Sequence, residues 1–393
     1  MGLPITAFLY EEDVMKILHT ADWHLGRIFY QRHLTEEQGY VLKNQFLPLL
    51  REKEIDAVVI AGDIFDRAVP PVEAIRLWDE IVTAIVNDYK IPLFVIAGNH
   101  DGGERLQLNK HLLRKHGVYV EGIMSEVEPI TLQDEWGPVH FCLFPFGDPL
   151  SYREVLGEDT ELEEGDNSYD AATRTVIEEM KKKLPVGERA VAVAHAFLAG
   201  GMESSSERPI SLGASSVVGT NVFSDFSYTA LGHLHGAQRV GDDRIRYSGS
   251  LLPYSFGEEH QKKSFTIVHL GEDSVEVELV PISPLRKVRV LEGTLQELLD
   301  MPVTEDYVFA KLTDTTPVID GMAQLRRRHP YVMGMELVGR MALNENGERG
   351  KFKHLEERDL FKNFAGFVWK DGLTEEQDSY MNELWEEVRK EEV

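Results

Sequence analysis

The fold is decided by residues 92–101, PLFVIAGNHD, where a short apolar run ends abruptly in glycine and polar residues. The same arrangement occurs earlier in the chain, at 57–66 (AVVIAGDIFD) and at 15–24 (MKILHTADWH). Short runs rich in Val, Ile and Leu are typical of buried strands, and helix-like segments near 35–53 and 72–89 separate them. This alternation predicts βαβ units, a largely parallel sheet and an α/β fold.

The pattern changes beyond Gly147. The acidic segment 154–167, EVLGEDTELEEGDN, predicts an exposed loop, and a helix is expected from about Ser168 to Leu184. Short strands then dominate, among them RAVAVAHAF and YTALGHLH, so the expected class is α/β with α+β character. We assign 15–282 to one domain.

A second, smaller domain is expected after two closely spaced prolines near 281–284. Strand candidates LRKVRVLEG, YVFAKL and YVMGMELVG alternate with two helices. Thr294 and Glu297 form a capping box for the first helix, and the second is expected near 319–328. These features predict a small α+β domain over 285–345.

The two ends of the chain fall outside these domains. Residues 1–14 precede the abrupt strand pattern at Met15 and are expected to be a leader, either disordered or foreign to the natural protein. Residues 355–393 contain two amphipathic helical stripes dense in aromatic residues. This tail is interpreted either as a docking element for a partner or as packing back onto the parent domain.

Composition limits the possible functions. The 393 residues include 67 acidic and 41 basic ones, for a formal charge of −26, which argues against wrapping nucleic acid by bulk charge. DNA binding would have to rest on local patches, bound cations or a partner. No apolar run approaches the roughly 18 residues that span a bilayer, and no secretory signal pattern is present, so a soluble cytoplasmic protein is expected. The single cysteine, Cys142, excludes an internal disulfide.

Five short polar motifs each follow a strand-like run. Because ligand sites of open α/β sheets lie beyond the carboxyl ends of strands, these motifs are expected to converge. Each alone has an ordinary explanation as a turn or a core histidine, but five in this order favour one site. Asp, Asn and His without thiolate suit Mn²⁺, Mg²⁺, Fe or Zn²⁺, and Asp63 is the natural carboxylate to bridge two ions. The motif residues are Asp22, His24, Asp63, Asn99, His100, His195, His233 and His235.

The motifs DWHLG, GDIFD, GNHD, His195 and GHLH resemble the signature of calcineurin-like metallophosphoesterases. That family has a four-layer α/β/β/α sandwich of two mixed sheets flanked by helices. The longer strings MKILHTADWHLGR, VVIAGDIFDR, VIAGNHD and YSGSLLPYSFGE are similar to the SbcD family of bacterial nuclease subunits, over roughly residues 15–340.

The resemblance implies a role for each motif residue. One ion would be held by Asp22, His24, Asp63 and His235, and the other by Asp63, Asn99, His195 and His233. His100 corresponds to a catalytic histidine that stabilises charge or protonates the leaving oxygen. Asp66 departs from archaeal relatives, which have a second catalytic histidine there, and a carboxylate donates no proton at neutral pH unless its pKa is raised.

The resemblance further implies a Mn²⁺-dependent DNA nuclease, acting as a double-strand exonuclease and as an endonuclease on single strands and hairpins. It would work in DNA repair and recombination as a homodimer within a heterotetramer containing an SbcC-type coiled-coil ATPase. ATP would enter only through that partner, since this chain has no P-loop. Two alternatives stay open: a phosphatase or nucleotide phosphodiesterase on the same scaffold, and a non-catalytic subunit that bridges DNA ends.

Basic residues of the smaller domain are candidates for contact with the DNA backbone, because a phosphate track needs only clustered cations. The alternative for each of them is a solvated surface. Arg27, beside the first motif, would either reach a phosphate or pair with a carboxylate. The candidates are Arg27, Arg286, Lys287, Arg289, Arg326, Arg327 and Arg328.

Overall fold

The computed structural model describes residues 14–124, 128–147, 152, 169–207, 217–316 and 318–338, with 361–362, 373–374, 376–381 and 384 near the chain end. The predicted leader, except its last residue, the loop at 154–167 and most of the predicted tail lie outside the described residues. The chain divides into two compact units. The first is Met1–Val290 with Glu305–Tyr307, and the second is Leu291–Thr304 with Val308–Val393.

Nineteen strands occur within the described ranges. They are β1 (Met15–Thr20), β2 (Ile28–Phe29), β3 (Arg32–His33), β4 (Ala57–Ala61), β5 (Leu93–Ile96), β6 (Val118–Glu121), β7 (Ile130–Asp134), β8 (Gly137–Phe144), β9 (Arg189–His195), β10 (Phe197–Leu198), β11 (Val217–Val218), β12 (Tyr228–Gly232), β13 (Gln238–Val240), β14 (Asp242–Tyr247), β15 (Ser264–Leu270), β16 (Val275–Pro281), β17 (Val288–Gly293), β18 (Tyr307–Leu312) and β19 (Val332–Leu337).

The α-helices follow the predicted amphipathic segments. The stretch predicted near 35–53 is one continuous helix, because the π-helical turn Leu42–Phe46 joins α1 to α2, and Ala84–Tyr89 extends α3 in the same way. The α-helices are α1 (Thr35–Val41), α2 (Leu47–Glu52), α3 (Val72–Thr83), α4 (Gly103–Leu106), α5 (Lys110–Leu113), α6 (Tyr169–Lys181), α7 (Leu295–Asp300) and α8 (Gly321–Arg328). None of the helices in the described ranges is both long and apolar enough to cross a bilayer.

Two mixed six-stranded sheets form the larger unit. The first has the order β16-β15-β1-β4-β5-β6, and the second has the order β13-β14-β12-β9-β8-β7. Strands β1, β4, β5 and β6 are parallel, as are β8, β9, β12 and β14, whereas the remaining strands of each sheet pair antiparallel. The parallel centres place the carboxyl ends of the motif strands at one edge.

The two sheets face each other across an apolar core. Phe94 of β5 stacks on Phe141 of β8 with ring centroids 4.0 Å apart, and both rings are fully buried. Val, Ile and Ala side chains of both sheets make up most of the rest of this layer. On the outer face of the second sheet, α6 buries Val176 and Ile177. In the first sheet, Phe265 of β15 contacts Phe46 of the helical stretch. The α/β/β/α layering expected from the resemblance is confirmed.

The smaller unit is built around a three-stranded sheet with the order β17-β18-β19. The predicted capping box is confirmed, because Thr294 accepts from the Glu297 amide while the Glu297 carboxylate accepts from the Thr294 amide. Leu298 of α7 and Leu325 of α8 are buried in its core. The second helix begins at Gly321, after Asp320 in a left-handed conformation, rather than near 319.

Candidate metal centre

All five polar motifs lie at one edge of the sandwich. Strands β1, β4 and β5 of the first sheet end just before the DWH, GDIFD and GNHD motifs, and β9 and β12 of the second sheet end at His195 and Gly232, which pair with each other. Backbone hydrogen bonds tie the first two loops together, from Asp22 N to Gly62 O at 3.0 Å and from His24 N to Asp63 O at 2.9 Å. The strand ends therefore bring the motifs to one place.

The glycines of these motifs are required by close approach of the chain. A Cβ on Gly98 would lie 2.1 Å from Asp63 Oδ1, and one on Gly232 would lie 1.9 Å from Ala61 O. Several non-glycine residues at the same edge have positive φ: Asp22 (52°), His24 (44°), Asp63 (51°) and His233 (108°). Such conformations cost on the order of 1–3 kcal/mol each and concentrate at functional sites.

Asp63 occupies the centre of the cluster. Its Oδ2 lies 3.7 Å from His24 Nε2, 3.6 Å from His195 Nε2 and 4.0 Å from His100 Nε2. Asp22, His24 and His235 also offer ligand atoms that all lie within 4.8 Å of one another. The structure thus brings oxygen and nitrogen atoms to both sides of Asp63.

Asn99 completes the second side of the cluster. Its Oδ1 lies 3.0 Å from His195 Nε2 and 3.3 Å from His233 Nδ1. His195 Nδ1 lies 2.9 Å from Ala61 O, and this contact turns its Nε2 toward the oxygens of Asn99 and Asp63. Its orientation suits a metal ligand.

The electrostatics of the cluster favour a bound cation. Burial, and then the nearby Asp63 carboxylate, raise the pKa of Asp22 well above its usual value. Burial, followed by neighbouring histidines, lowers the pKa of His24 and His233, so their imidazoles are neutral, as metal ligation requires. Two buried carboxylates side by side repel each other, and divalent cations between them would remove that cost. The donor set fits two such ions.

His100 is held with one ring nitrogen facing the cluster. Its amide donates to Asp63 Oδ1 at 2.9 Å, and its Nδ1 proton goes to Asp66 O at 2.9 Å. The His100 and His24 ring centroids are 4.6 Å apart. The Nε2 atom of His100 is therefore left to face whatever the cluster binds.

Asp66 lies at the rim of the cluster with Arg27. Arg27 Nη1 donates to Asp66 Oδ1 at 2.9 Å, and its guanidinium lies over the Tyr254 ring, 5.3 Å from the centroid. The Asp66 carboxylate is 3.7 Å from His24 Nδ1, too far for a hydrogen bond. The sequence left open whether Arg27 reaches a phosphate or pairs with a carboxylate, and in the structure Arg27 pairs with the Asp66 carboxylate.

Asp101 was overlooked in the sequence, although it is the last residue of the GNHD motif. Its carboxylate accepts from the amides of Ile64, Phe65 and Gly98 at 2.9–3.1 Å, which locks two motif loops together. Burial, and then Asp63, raise the pKa of Asp101 to about 7. The sequence gives no sign of this role, because only the folded chain brings the three amides to the Asp101 carboxylate.

The candidate DNA-contact residues differ in whether their charged groups already bind another group of the protein. Arg286 pairs with Glu37 at 2.7 Å, Arg289 pairs with Asp306 at 2.5 Å, and Arg328 donates to Met301 O. Arg326 is exposed but donates Nε to Val332 O at 3.3 Å. Lys287 and Arg327 are exposed and make no ion pair within the described part of the chain.

Comparison with known families covers both units. Residues 15–236, more than half of the chain, match the family described as calcineurin-like phosphoesterase. Residues 284–366 match the family described as type 5 capsule protein repressor C-terminal domain.

Similar proteins have been identified in staphylococci. The SbcD subunit of the nuclease SbcCD from Staphylococcus saprophyticus is 31% identical over 94% of this chain and 97% of that protein. The corresponding SbcCD nuclease subunit of Staphylococcus epidermidis is 31% identical over 94% of this chain and 98% of that protein. A solved dimetal phosphatase from Danio rerio has 14% identity over 69% of this chain and 98% of its own, with a TM-score of 0.39.

Proposed function

Because the chain belongs to the calcineurin-like phosphoesterase family and, within it, to the SbcD family of nuclease subunits, we propose that it hydrolyses phosphodiester bonds of DNA at a two-metal site. The observation that carries the proposal is the position of the Asp63 carboxylate, within 4.0 Å of ring nitrogens of His24, His100 and His195. Asp63, His24 and His195 would be metal ligands, and His100 would act on the substrate.

Each ligand follows from its position in the cluster. Asp22, His24 and His235 on one side, and Asn99, His195 and His233 on the other, would each share Asp63 as the bridging carboxylate. When bound, the two ions would neutralise the phosphodiester and activate water for in-line attack. Mn²⁺ is our first choice, with Mg²⁺, Fe and Zn²⁺ as alternatives that the same donors accept.

His100 has the proton-handling role. With Nδ1 donating to Asp66 O, its Nε2 faces the cluster, and the ring protonated at both nitrogens would donate the Nε2 proton to the leaving oxygen or a hydrogen bond to the developing charge. Asp66 has a different role from the histidine of archaeal relatives, because its carboxylate accepts from Arg27. It orients neighbouring groups instead of donating a proton.

Cleavage assays on the full chain test this function. Wild-type protein with Mn²⁺ is expected to cut a single-stranded oligonucleotide, whereas Asp63→Ala and His100→Asn should lose at least about 100-fold in rate, as loss of a bridging ligand or of a general acid does. His260→Asn is the matched control, because the His260 side chain is 94% exposed. Normal rates in either site variant would remove the assignment.

The substrate class needs a separate comparison. A phosphatase or nucleotide phosphodiesterase would use the same ligands, and p-nitrophenyl phosphate esters distinguish it from a nuclease. Turnover of the small esters without cleavage of the oligonucleotide would favour that alternative. DNA binding without any hydrolysis would favour the end-bridging subunit.

Contact with the DNA backbone is proposed for the basic residues, led by Lys287 and Arg327, whose charges are not neutralised by ion pairs within the described ranges. Arg27, Arg286, Arg289, Arg326 and Arg328 are secondary candidates because each already has a partner. The plot of log K against log salt has a negative slope, and each lost phosphate contact reduces the magnitude of that slope by about 0.7–0.9. Lys287→Ala with Arg327→Ala should therefore flatten the slope by about 1.4–1.8, and an unchanged slope would contradict both contacts.

A homodimer is proposed from exposed apolar residues that follow two site motifs. The segments after GDIFD and GNHD touch, since Arg105 donates to Ala68 O. Both carry large apolar side chains open to solvent, and such patches mark interfaces. These side chains are Val69, Val72, Ile75, Leu108 and Leu112. Replacing Leu108 and Leu112 by Glu should give monomers in sedimentation experiments, and an unchanged mass would contradict this interface.

An SbcC-type coiled-coil ATPase is the proposed partner, in a cytoplasmic complex active in DNA repair. The 355–393 tail is the proposed docking element. Deleting it should spare Mn²⁺-dependent cleavage of single strands by the isolated chain but abolish co-purification with the ATPase. Retained co-purification would contradict the docking role while leaving the nuclease proposal intact.

A further inference from the structure

His235 is fixed at three atoms by residues that belong to none of the five motifs. Its amide donates to Glu207 Oε1 at 2.8 Å, and its carbonyl oxygen accepts from Lys263 Nζ at 2.8 Å. Its ring Nδ1 lies 2.5 Å from Ser206 Oγ. Both the backbone and the ring of this residue are therefore held before any ligand arrives.

Behind Ser206 lies a buried ion pair. The Ser206 hydroxyl donates to the Glu258 carboxylate, and Lys263 Nζ is 2.5 Å from Glu258 Oε2. Lys263 also donates to Ser250 Oγ and Gln261 Oε1. Glu258 is 0% exposed and Lys263 is 6% exposed. A buried pair is costly to desolvate and stabilises folding poorly, so its presence beside the cluster calls for another explanation.

The direction of these hydrogen bonds fixes the His235 tautomer. A carboxylate only accepts, so the single proton of Ser206 goes to Glu258, and the Ser206 oxygen is left to accept from His235 Nδ1. The Nδ1 proton leaves the Nε2 lone pair directed at the cluster, 3.1 Å from His24 Nε2. His24 provides a contrast, because its Nδ1 is buried without a hydrogen-bond partner among the described residues.

We propose that Ser206, Glu258 and Lys263 act as a positioning relay that holds His235 in the tautomer and orientation of a metal ligand. The relay rests on the proposed two-metal function and adds to it, because it makes the affinity of one ion depend on residues that touch no ion. Outer hydrogen bonds of this kind change metal affinity by about 10–100-fold when removed.

The first experiment needs no metal. In metal-free full-length protein with ¹⁵N-labelled histidine, NMR should show His235 in the Nδ1–H tautomer in the wild type. Ser206→Ala should convert that signal to a tautomer mixture, and Ser206→Thr, which keeps the hydroxyl, should restore it. Ser205→Ala is the matched control, because the Ser205 hydroxyl donates to Ser255 and not to Glu258.

The second experiment counts ions. Mn²⁺ titration followed by electron paramagnetic resonance should show two sites in the wild type and in Ser205→Ala. In Ser206→Ala and Glu258→Gln one site should weaken by about 10–100-fold while the other is retained. Unchanged tautomer and affinities in Ser206→Ala would overturn the relay alone. Failure of the wild type to bind two ions would overturn the proposed two-metal function, whatever the NMR result.

Discussion

The apolar layer between the two sheets and the polar edge at their strand ends are built from the same strands under opposite constraints. Strand β5 places Phe94 in the layer, stacked on Phe141, and leads within three residues of its end to Asn99 at the edge. The layer buries mainly apolar side chains that need no hydrogen-bond partner, whereas the edge buries carboxylates and imidazoles within 4.0 Å of one another.

This difference teaches where the stability of the molecule comes from. Burial of apolar area stabilises the layer whether or not a metal is bound, at about 25 cal/mol per Å². At the edge, like charges and left-handed backbone conformations are unfavourable, and a bound cation would offset the repulsion between the carboxylates. We therefore expect the layer to determine folding and the edge to respond to ligands.

The largest effect on stability is expected in the layer. Phe141→Ala removes a fully buried ring that stacks on Phe94, and such truncations cost about 3–5 kcal/mol of unfolding free energy. Chemical denaturation of the full chain measures the change, with and without Mn²⁺. Val186→Ala is the control, because Val186 is fully exposed and its loss should change stability by less than about 0.5 kcal/mol. A loss below about 1 kcal/mol for Phe141→Ala would contradict the layer's role.

The opposite sign is expected at the edge. Burial and the nearby Asp63 raise the pKa of the Asp22 carboxyl, so this group disfavours the folded state at neutral pH. Asp22→Asn removes it yet keeps an oxygen to accept from the His233 amide, as Asp22 does at 2.9 Å. The metal-free protein should gain roughly 1–3 kcal/mol at neutral pH, the usual cost of burying an uncompensated polar group. The variant should also lose most of the rise in Tm that Mn²⁺ produces in the wild type. A destabilised metal-free variant would show that the edge is already compensated by other contacts.

The two regions also differ in how much of them the sequence predicts. The apolar runs at 57–61 and 93–96 predict the two strands, and the polar residues that follow them predict the position of the edge. Periodicity and strand ends are local properties, so Asp63 and Asn99 could be found without coordinates. The helix expected near 168–184 occurs in place and ends at Lys181, before the predicted Leu184.

What the sequence could not predict depends on contacts between distant segments. Ser206 and Glu258 are 52 positions apart and meet only through the fold, and Ser206 lies in a run of three serines that carries no periodic signal. Arg286 resembled a surface cation, yet it pairs with Glu37 across 249 positions. Clustered charge indicates a candidate patch, but only the fold shows which charges are already neutralised.

The smallest effect concerns His19, an ionisable residue placed in the layer instead of at the edge. Its Nε2 proton goes to Leu231 O at 3.1 Å, and Tyr228 donates to Nδ1 at 2.9 Å, so the neutral ring bridges the two sheets. Burial lowers its pKa from 6.5 to about 3. Below pH 6.5 the unfolded chain binds a proton that the folded chain refuses, so His19 makes stability fall as the pH falls.

Comparison of the wild type with His19→Gln isolates this effect. Between about pH 7 and pH 5.5 the wild type should lose about 1 kcal/mol more unfolding free energy than the variant, since each unmatched proton changes stability by about 1.4 kcal/mol per pH unit. Because His19 touches no proposed ligand, the difference should be the same in EDTA and in Mn²⁺. A difference that appears only with Mn²⁺ would mean that the protonation of His19 is linked to metal binding. His19 would then belong to the edge and not to the apolar layer.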